Sequence, residues 1–382
     1  MTGERRIDRH FGMDWLRIGA FGLLILYHVG MFFVHWDWHV KTADPLEWAA
    51  IPMLALSPWR LSLLFVVSGY ATRAVLLRAK SLREFTGGRT KRLLIPLVFA
   101  MVFLIAPQPW VELMWKHGYA GNYLHFWTRD YFRFGAIDGI LLPTWQHLWF
   151  VLYLWGYTVI AAILAPLAPR LRAQAVFDRI FGHAGALLVP LAWFLVMRGF
   201  VVQGEDETHA FVDDWPGHIV YFPAFLFGLG LACSGTAWAG IRRWWKAAAA
   251  MAVLCYLPIA ATEIVYPGTT PFPPSLHLPY FSVRALQGAA AVIALIGLAD
   301  RFWNRDGPGR KTLTEAVFPF YIIHQTIIVL VGWYLLRLRL PPSGEFVILV
   351  AATALGCWLF FEAARRFRLL RPMVGLKATA KG

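Results

Sequence analysis

Charge is scarce in this chain, and acid is scarcer than base. Only 15% of its 382 residues are Asp, Glu, Lys or Arg, and 22 acids stand against 36 bases. A soluble domain carries about 25% charged residues, so a water-exposed globule is excluded. The net charge of +14 does not mark a nucleic-acid binder, because the bases fall between apolar runs and form no aromatic-interleaved module. Cysteine is nearly missing. Cys233, Cys255 and Cys357 lie in or beside apolar runs without metal-ligand spacing, which excludes a disulfide framework. There is no Gly-x-Ser-x-Gly elbow, no internal repeat, no low-complexity tract and no soluble domain.

Apolar length is what the chain has instead, with 58% hydrophobic and 16% aromatic residues. Roughly 17–25 apolar residues cross about 30 Å of hydrocarbon as a helix. Ten stretches qualify: 13–34, 57–78, 93–114, 147–168, 185–203, 216–233, 247–266, 281–299, 313–336 and 345–362. The expected fold is therefore all-α, a polytopic integral membrane protein forming a single membrane domain over 1–382. The first run is too long for a signal-peptide core and no small-x-small site follows it, so it is expected to remain as an anchor.

Lys and Arg concentrate in cytoplasmic loops. With the N-terminus inside, the inner segments hold 25 of these bases and the outer loops six: Lys41, Lys116, Arg129, Arg133, Arg337 and Arg339. The acidic loop GEDETHAFVDDW (204–215) then falls outside, and both termini are expected to be cytoplasmic. Three outer segments exceed simple turns: 35–56, 115–146 and the proline-rich 267–280. Their Trp and Tyr residues suit interfacial anchoring, and they also suit stacking on sugar rings.

Ionisable groups inside a bilayer are costly and face a protein interior or a wet cavity. The first run is entered through Asp14 and Arg17 and interrupted by His28. Eleven residues of helix put Arg17 and His28 about 20° apart around the axis and about 16 Å apart along it, so both belong to one stripe. Imidazole titrates near neutrality and can take a proton from a hydroxyl. Arg89 and Arg92, with Lys91 beside them, share a face at an expected helix start and suit phosphate; positive-inside anchoring is the competing reading. Ser68 and Gly69 allow close helix approach. His147 lies among tryptophans near the outer surface, and His324 near mid-membrane. Arg198, Glu263 and Arg284 lie toward outer span ends, to pair with one another or to line a cavity. His35, Asp37 and His39 have metal-compatible spacing but form no tight ligand set, so no metal is expected.

Several of these segments form a series. DWLRIGAFGLLILYH (14–28) resembles the first-helix motif of the membrane acyltransferase 3 family, an arginine followed after ten residues by a histidine. LFVVSGY (64–70), RTKRLLIP (89–96), HLWF (147–150) and YIIHQ (321–325) resemble the family's later landmarks in the right order, over nearly the whole chain. Within the family, HWDWHVKTADPLEW (35–48) most resembles the glucans biosynthesis protein C branch, which is linked to succinyl substitution of periplasmic glucans.

The resemblance implies transfer of an acyl group from cytoplasmic acyl-coenzyme A, succinyl- or acetyl-coenzyme A, to a carbohydrate hydroxyl at the outer face of a bacterial-type inner membrane. Carried over residue by residue, His28 matches the family's essential histidine, Arg17 its partner arginine, and Arg89 and Arg92 the arginine pair. His28 is then expected as general base. Ser68, Tyr70 and His147 are unranked oxyanion donors, and Asp14, His324 and His39 give support. A dicarboxylic acyl group would want a basic lining, for which Arg198 or Arg284 stand available. The other class that fits a polar stripe is a transporter or flippase for an anionic or glycosylated solute, for which paired broken helices and repeats are expected; no such symmetry is visible. The orientation is directly testable. A phosphatase active only outside should be active when inserted after His209 and silent after Arg301, and the opposite pattern would invert the topology.

Overall fold

The structure, a computed structural model, describes residues 9–203, 205 and 207–377. In chain order it contains α1 (Phe11–Met31), α2 (Ala50–Leu56), α3 (Arg60–Leu76), α4 (Leu82–Phe103), α5 (Pro107–His117), a single turn α6 (Tyr123–His125) and the strands β1 (Gly135–Ile137) and β2 (Ile140–Leu142). There follow α7 (Trp149–Leu164), α8 (Ala173–Phe181), α9 (Gly185–Val196), α10 (Trp215–Leu231), α11 (Gly235–Val265), α12 (Pro274–Phe302), α13 (Arg310–Leu335), α14 (Pro342–Arg366) and a last turn α15 (Leu370–Met373).

Helix dominates, as the composition requires, with one exception. Gly135 faces Leu142 and Ile137 faces Ile140 across an antiparallel hairpin. Its two-residue turn is Asp138–Gly139, at φ 47° and 83°, the dipeptide that tolerates two positive φ values at a hairpin.

Among the described residues, six helices are long and apolar enough to cross a membrane, or up to eight if two bent pairs each count as one crossing. The expected ten are not reached. The stretch expected at 93–114 is divided between α4, which starts at Leu82, and α5, with a 42° bend. The stretch at 185–203 joins α8 through an 87° bend. α10 is a shorter apolar helix, and α1 carries Asp14, Arg17 and His28 within its 21 residues. The proline-rich outer segment is helical from Pro274, because proline is tolerated in a first turn where no N–H is needed.

The chain divides into two compact units. The first comprises Met1–Ala20, Ile51–Arg89 and Tyr153–Thr314. Its α3 and α10 approach to backbone contact at two glycines. A Cβ on Gly69 would lie 2.0 Å from the Phe225 carbonyl oxygen, and one on Gly228 would lie 1.9 Å from that of Val66. Small residues are how helices pack closely where burial of apolar surface gives little drive. Asp214 caps α10 by accepting from the Gly217 amide, and is itself fully buried under the Tyr153 hydroxyl, 2.6 Å away. Ser234 caps α11 in the same way through the Ala237 amide.

The second unit comprises Phe21–Ala50, Thr90–Leu152 and Glu315–Gly382. Val29, Phe32 and Phe33 from α1 and its exit pack with Val111, Ile328, Val329 and Leu349 in one core. Ala106, Leu113, Phe126, Tyr131 and Leu142 form another under the hairpin. The Lys41 ammonium donates to the carbonyls of Met31 and Val34, at 3.1 and 2.7 Å, and to that of Trp36. It thereby closes the C-terminal end of α1, where unsatisfied carbonyls favour a cation.

Gly228→Ala forces a methyl into the α3 backbone and should cost about 1–3 kcal/mol, the usual range for overpacking. Gly22→Ala meets nothing within 4 Å and should be neutral or slightly stabilising. Melting temperatures in detergent should fall for the first variant only; equal curves would refute the close packing.

Candidate active site

The second unit gathers three histidines. His28, in the last turn of α1, and His324, on α13, are joined through His28 Nδ1 and His324 Nε2 at 2.8 Å, with their rings stacked 5.0 Å apart. His147, in the turn that leads into α7, stands with its ring 4.9 Å from His324 and 6.4 Å from His28.

Tyr321, one turn before His324, ties the group together. Its carbonyl accepts from His324 Nδ1 at 2.8 Å and from His147 Nε2 at 3.0 Å, and its hydroxyl donates to the His147 carbonyl. A carbonyl only accepts, so these bonds assign the protons. His324 carries its hydrogen on Nδ1, which leaves Nε2 as a lone pair. His28 must therefore donate from Nδ1, and its Nε2 is the basic nitrogen. By the same reasoning His147 is protonated on Nε2, and its Nδ1 is a buried acceptor with no hydrogen-bond partner among the described residues. His147 is 8% exposed and His324 0%. Buried polar atoms are nearly always paired, so the orphaned Nδ1 marks a place for a donor such as a hydroxyl. This corrects one expectation: a neutral His147 with its proton spent on Tyr321 offers a lone pair and is unsuited to stabilise an oxyanion.

Beside the histidines runs a second buried network. Gln325 Nε2 donates to His39 Nε2 at 2.9 Å and to Gln108 Oε1 at 3.1 Å. His39 Nδ1 then donates to Glu112 at 2.5 Å, and Lys116 bridges Glu112 and Asp37. Gln108 donates to Thr326, which donates to the Leu104 carbonyl, each at 2.7 Å. His39 therefore supports α13 through Gln325, while Asp37 is an ion-pair partner. Glu112, Gln108, Gln325 and Tyr321 were not singled out from the sequence. The available signal was two polar residues one turn apart, Gln108 and Glu112, inside an apolar run.

Other expected residues lie elsewhere. Lys91 and Arg92 belong to the second unit. Both are exposed and make no ion pair among the described residues. The expectation that the arginine pair sits at a helix start fails. α4 begins at Leu82, so the residues lie two turns in, and the helix dipole gives them nothing.

Asp14, Arg17, Ser68, Tyr70 and Arg89 belong to the first unit. Asp14 accepts from Arg9 at 2.8 Å and from Arg310 at 2.7 Å, so it anchors helix starts. The Arg17 guanidinium approaches the Thr314 carbonyl at 3.5 Å, and Arg89 approaches Thr72 Oγ1 at 3.4 Å. Tyr70 is buried edge-on against His10 and Trp238. Arg198, Glu263 and Arg284 do not pair with one another. Arg198 binds Glu207 of the acidic loop at 2.7 Å, with the Tyr221 hydroxyl on the same carboxylate at 2.6 Å. Burial would raise the Glu207 carboxyl; the Arg198 guanidinium, with His209 and Tyr221, outweighs it and holds the group down at about 2. Arg198 is thus neutralised and gives no basic lining. Arg284 donates to Tyr280 and Ser57, and Glu263 accepts from the Gly268 amide.

Comparison with known proteins bears on this arrangement. Residues 10–362 match the family profile described as "Acyltransferase domain". Glucans biosynthesis protein C of Escherichia coli (strain SMS-3-5 / SECEC) is 29% identical over 147 residues, 38% of this chain and 36% of the relative. The same protein of E. coli O6:K15:H31 (strain 536 / UPEC) is 28% identical over an equal length. The chain thus matches about a third of the length of these curated relatives. No solved structure matches. With a profile that covers nearly all of its length and apolar helices throughout, the chain belongs to the acyltransferase 3 family of membrane acyltransferases.

Proposed function

We propose that this membrane acyltransferase moves an acyl group, succinyl or acetyl, from acyl-coenzyme A on the cytoplasmic side to a carbohydrate hydroxyl at the outer face of an inner membrane, with His28 as general base. The observation that carries the reading is the His28–His324 hydrogen bond, which makes His28 Nε2 the basic nitrogen.

Lys91 and Arg92 bind the anionic nucleotide end of the donor through charge-assisted bonds. The acceptor hydroxyl gives its proton to His28 Nε2, while the lone pair on His147 Nδ1 accepts from a neighbouring hydroxyl of the sugar and orients it. The oxygen attacks the thioester carbonyl, forming a C–O bond. The C–S bond then breaks and the thiolate recovers the proton from His28. As Nε2 becomes charged, the Nδ1–H bond to His324 holds the ring in place, the role of the third group in a nucleophile–base–orienter chain. General-base help is worth about 10²–10⁴-fold, so positioning of donor and acceptor carries most of the remaining acceleration. The substituted acceptor is proposed to be a glucan, because the relatives are named for glucan biosynthesis. The HWDWHVKTADPLEW loop supports the same branch.

Purified protein given labelled acyl-coenzyme A and candidate glucans should acylate the glucan. His28→Ala should lose about 10²–10⁴-fold in kcat with donor binding retained, whereas Arg92→Gln with Lys91→Gln should chiefly raise KM for the donor. A His28→Ala enzyme as fast as wild type would refute the assignment.

The tautomer argument predicts a further split. His324→Gln retains a carbonyl acceptor for the His28 Nδ1–H and should keep measurable activity. His324→Leu should lower kcat and shift the pH profile without changing KM for the donor, and equal behaviour of the two variants would remove His324 from the mechanism.

A further inference from the structure

The first unit contains a cavity of about 1120 Å³ bounded by α3, the α7–α8 connection, α8, α9, α10 and α12. Sites for drug-sized ligands usually occupy about 300–1,000 Å³, so this hollow suits something larger. Its wall is almost wholly apolar, with Phe177, Trp193, Phe194, Leu226 and Val292 among its side chains, and it carries no carboxylate.

Two arginines break the apolar lining: Arg73, in the last turn of α3, and Arg172, just before α8. Neither forms an ion pair or a side-chain hydrogen bond among the described residues, and Arg73 Nε is buried without a partner. The remaining polar residues on the wall give no compensating charge. Gln174 is spent on Asp178 and the Gly230 carbonyl, and Ser62 is neutral. The half-buried Arg73 guanidinium beside apolar surface costs free energy unless an anion joins it, and the exposed Arg172 adds a second positive charge at the same cavity. The ligand that completes this site therefore has a large apolar body and an anionic head.

The distribution of loop charge puts both arginines on the inner side, since Arg73 adjoins the basic 78–92 segment and Arg172 lies in 169–184. That leaflet is the one rich in anionic lipid. A zwitterionic lipid would leave part of the two positive charges unmatched, and a free anion would leave the apolar hollow unfilled.

We propose that this cavity binds one anionic phospholipid of the inner leaflet, its acyl chains against the apolar wall and its phosphate on Arg73 and Arg172. Guanidinium groups suit phosphate through bidentate bonds. The site is independent of the histidines and of donor binding at Lys91 and Arg92.

The test uses the full-length protein in detergent, delipidated and titrated with phosphatidylglycerol, phosphatidylcholine or inorganic phosphate, with retained lipid counted by native mass spectrometry. One phosphatidylglycerol should be retained at least tenfold more tightly than phosphatidylcholine. Arg73→Gln with Arg172→Gln should erase that preference while keeping wild-type elution and helicity. Leu226→Trp, which narrows the hollow without touching charge, should weaken both lipids together. Equal retention of the two lipids, full retention by the double variant, displacement by inorganic phosphate, or displacement by coenzyme A would each overturn the proposal.

Discussion

One proton shared between the buried imidazole of His324 and the half-buried imidazole of His28 organises the second unit. A His–His hydrogen bond inside a protein needs one ring to donate and the other to accept, so something must fix the tautomers. Here the Tyr321 carbonyl does so by accepting a hydrogen bond from the His324 Nδ1–H. The same carbonyl holds His147, and the Tyr321 hydroxyl returns to the His147 backbone. The polar run His324–Gln325–Thr326 on α13 can be buried only because each member has partners on α1, its exit loop, the α4–α5 link or α5. Unpaired, each of these groups would cost the full price of desolvation.

Charge in the protein follows the same rule with an informative remainder. Four half-buried acids are paired with bases: Asp14 with Arg310, Asp300 with His10 and Arg242, Glu112 with His39 and Lys116, Glu207 with Arg198. The buried Asp214 and Glu345 accept from the Tyr153 and Thr42 hydroxyls. Several bases are left over from these pairs. Lys91 and Arg92 stand exposed on α4, and Arg73 and Arg172 face an apolar hollow. Leftover base in a chain with few acids points to ligands that bring their own negative charge. Acyl-coenzyme A at one place and an anionic lipid at the other would each do so.

Much of this was legible in the sequence. The apolar runs announced helices, and the Arg17–His28 spacing announced a polar stripe on α1, because periodicity is a local property. Gly69 announced the close α3–α10 contact, although its partner Gly228 lay too far along the chain to be inferred. The partner of His28 was not legible either, since His324 is 296 residues away and nothing local to YIIHQ distinguishes a paired histidine from a packed one. Helix starts were misplaced where polar residues precede the apolar run: α4 begins eleven residues before Leu93 and α11 twelve before Ala247. Polarity marks where a helix leaves apolar surroundings, while hydrogen bonding decides where it begins. The Asp138–Gly139 hairpin carried a clear signal in its dipeptide, obscured by the aromatic residues around it.

The central claim is that His324 fixes the proton of His28 on Nδ1 and leaves Nε2 basic. Nitrogen-15 solid-state NMR of histidine-labelled protein in bilayers, with His28 assigned by its loss in His28→Gln, reads that proton directly. A protonated Nδ1 and a bare Nε2 on His28, which becomes the mixed or opposite tautomer in His324→Leu, are the expected result. A His28 protonated on Nε2 in the wild-type protein, or a tautomer indifferent to His324, would contradict it.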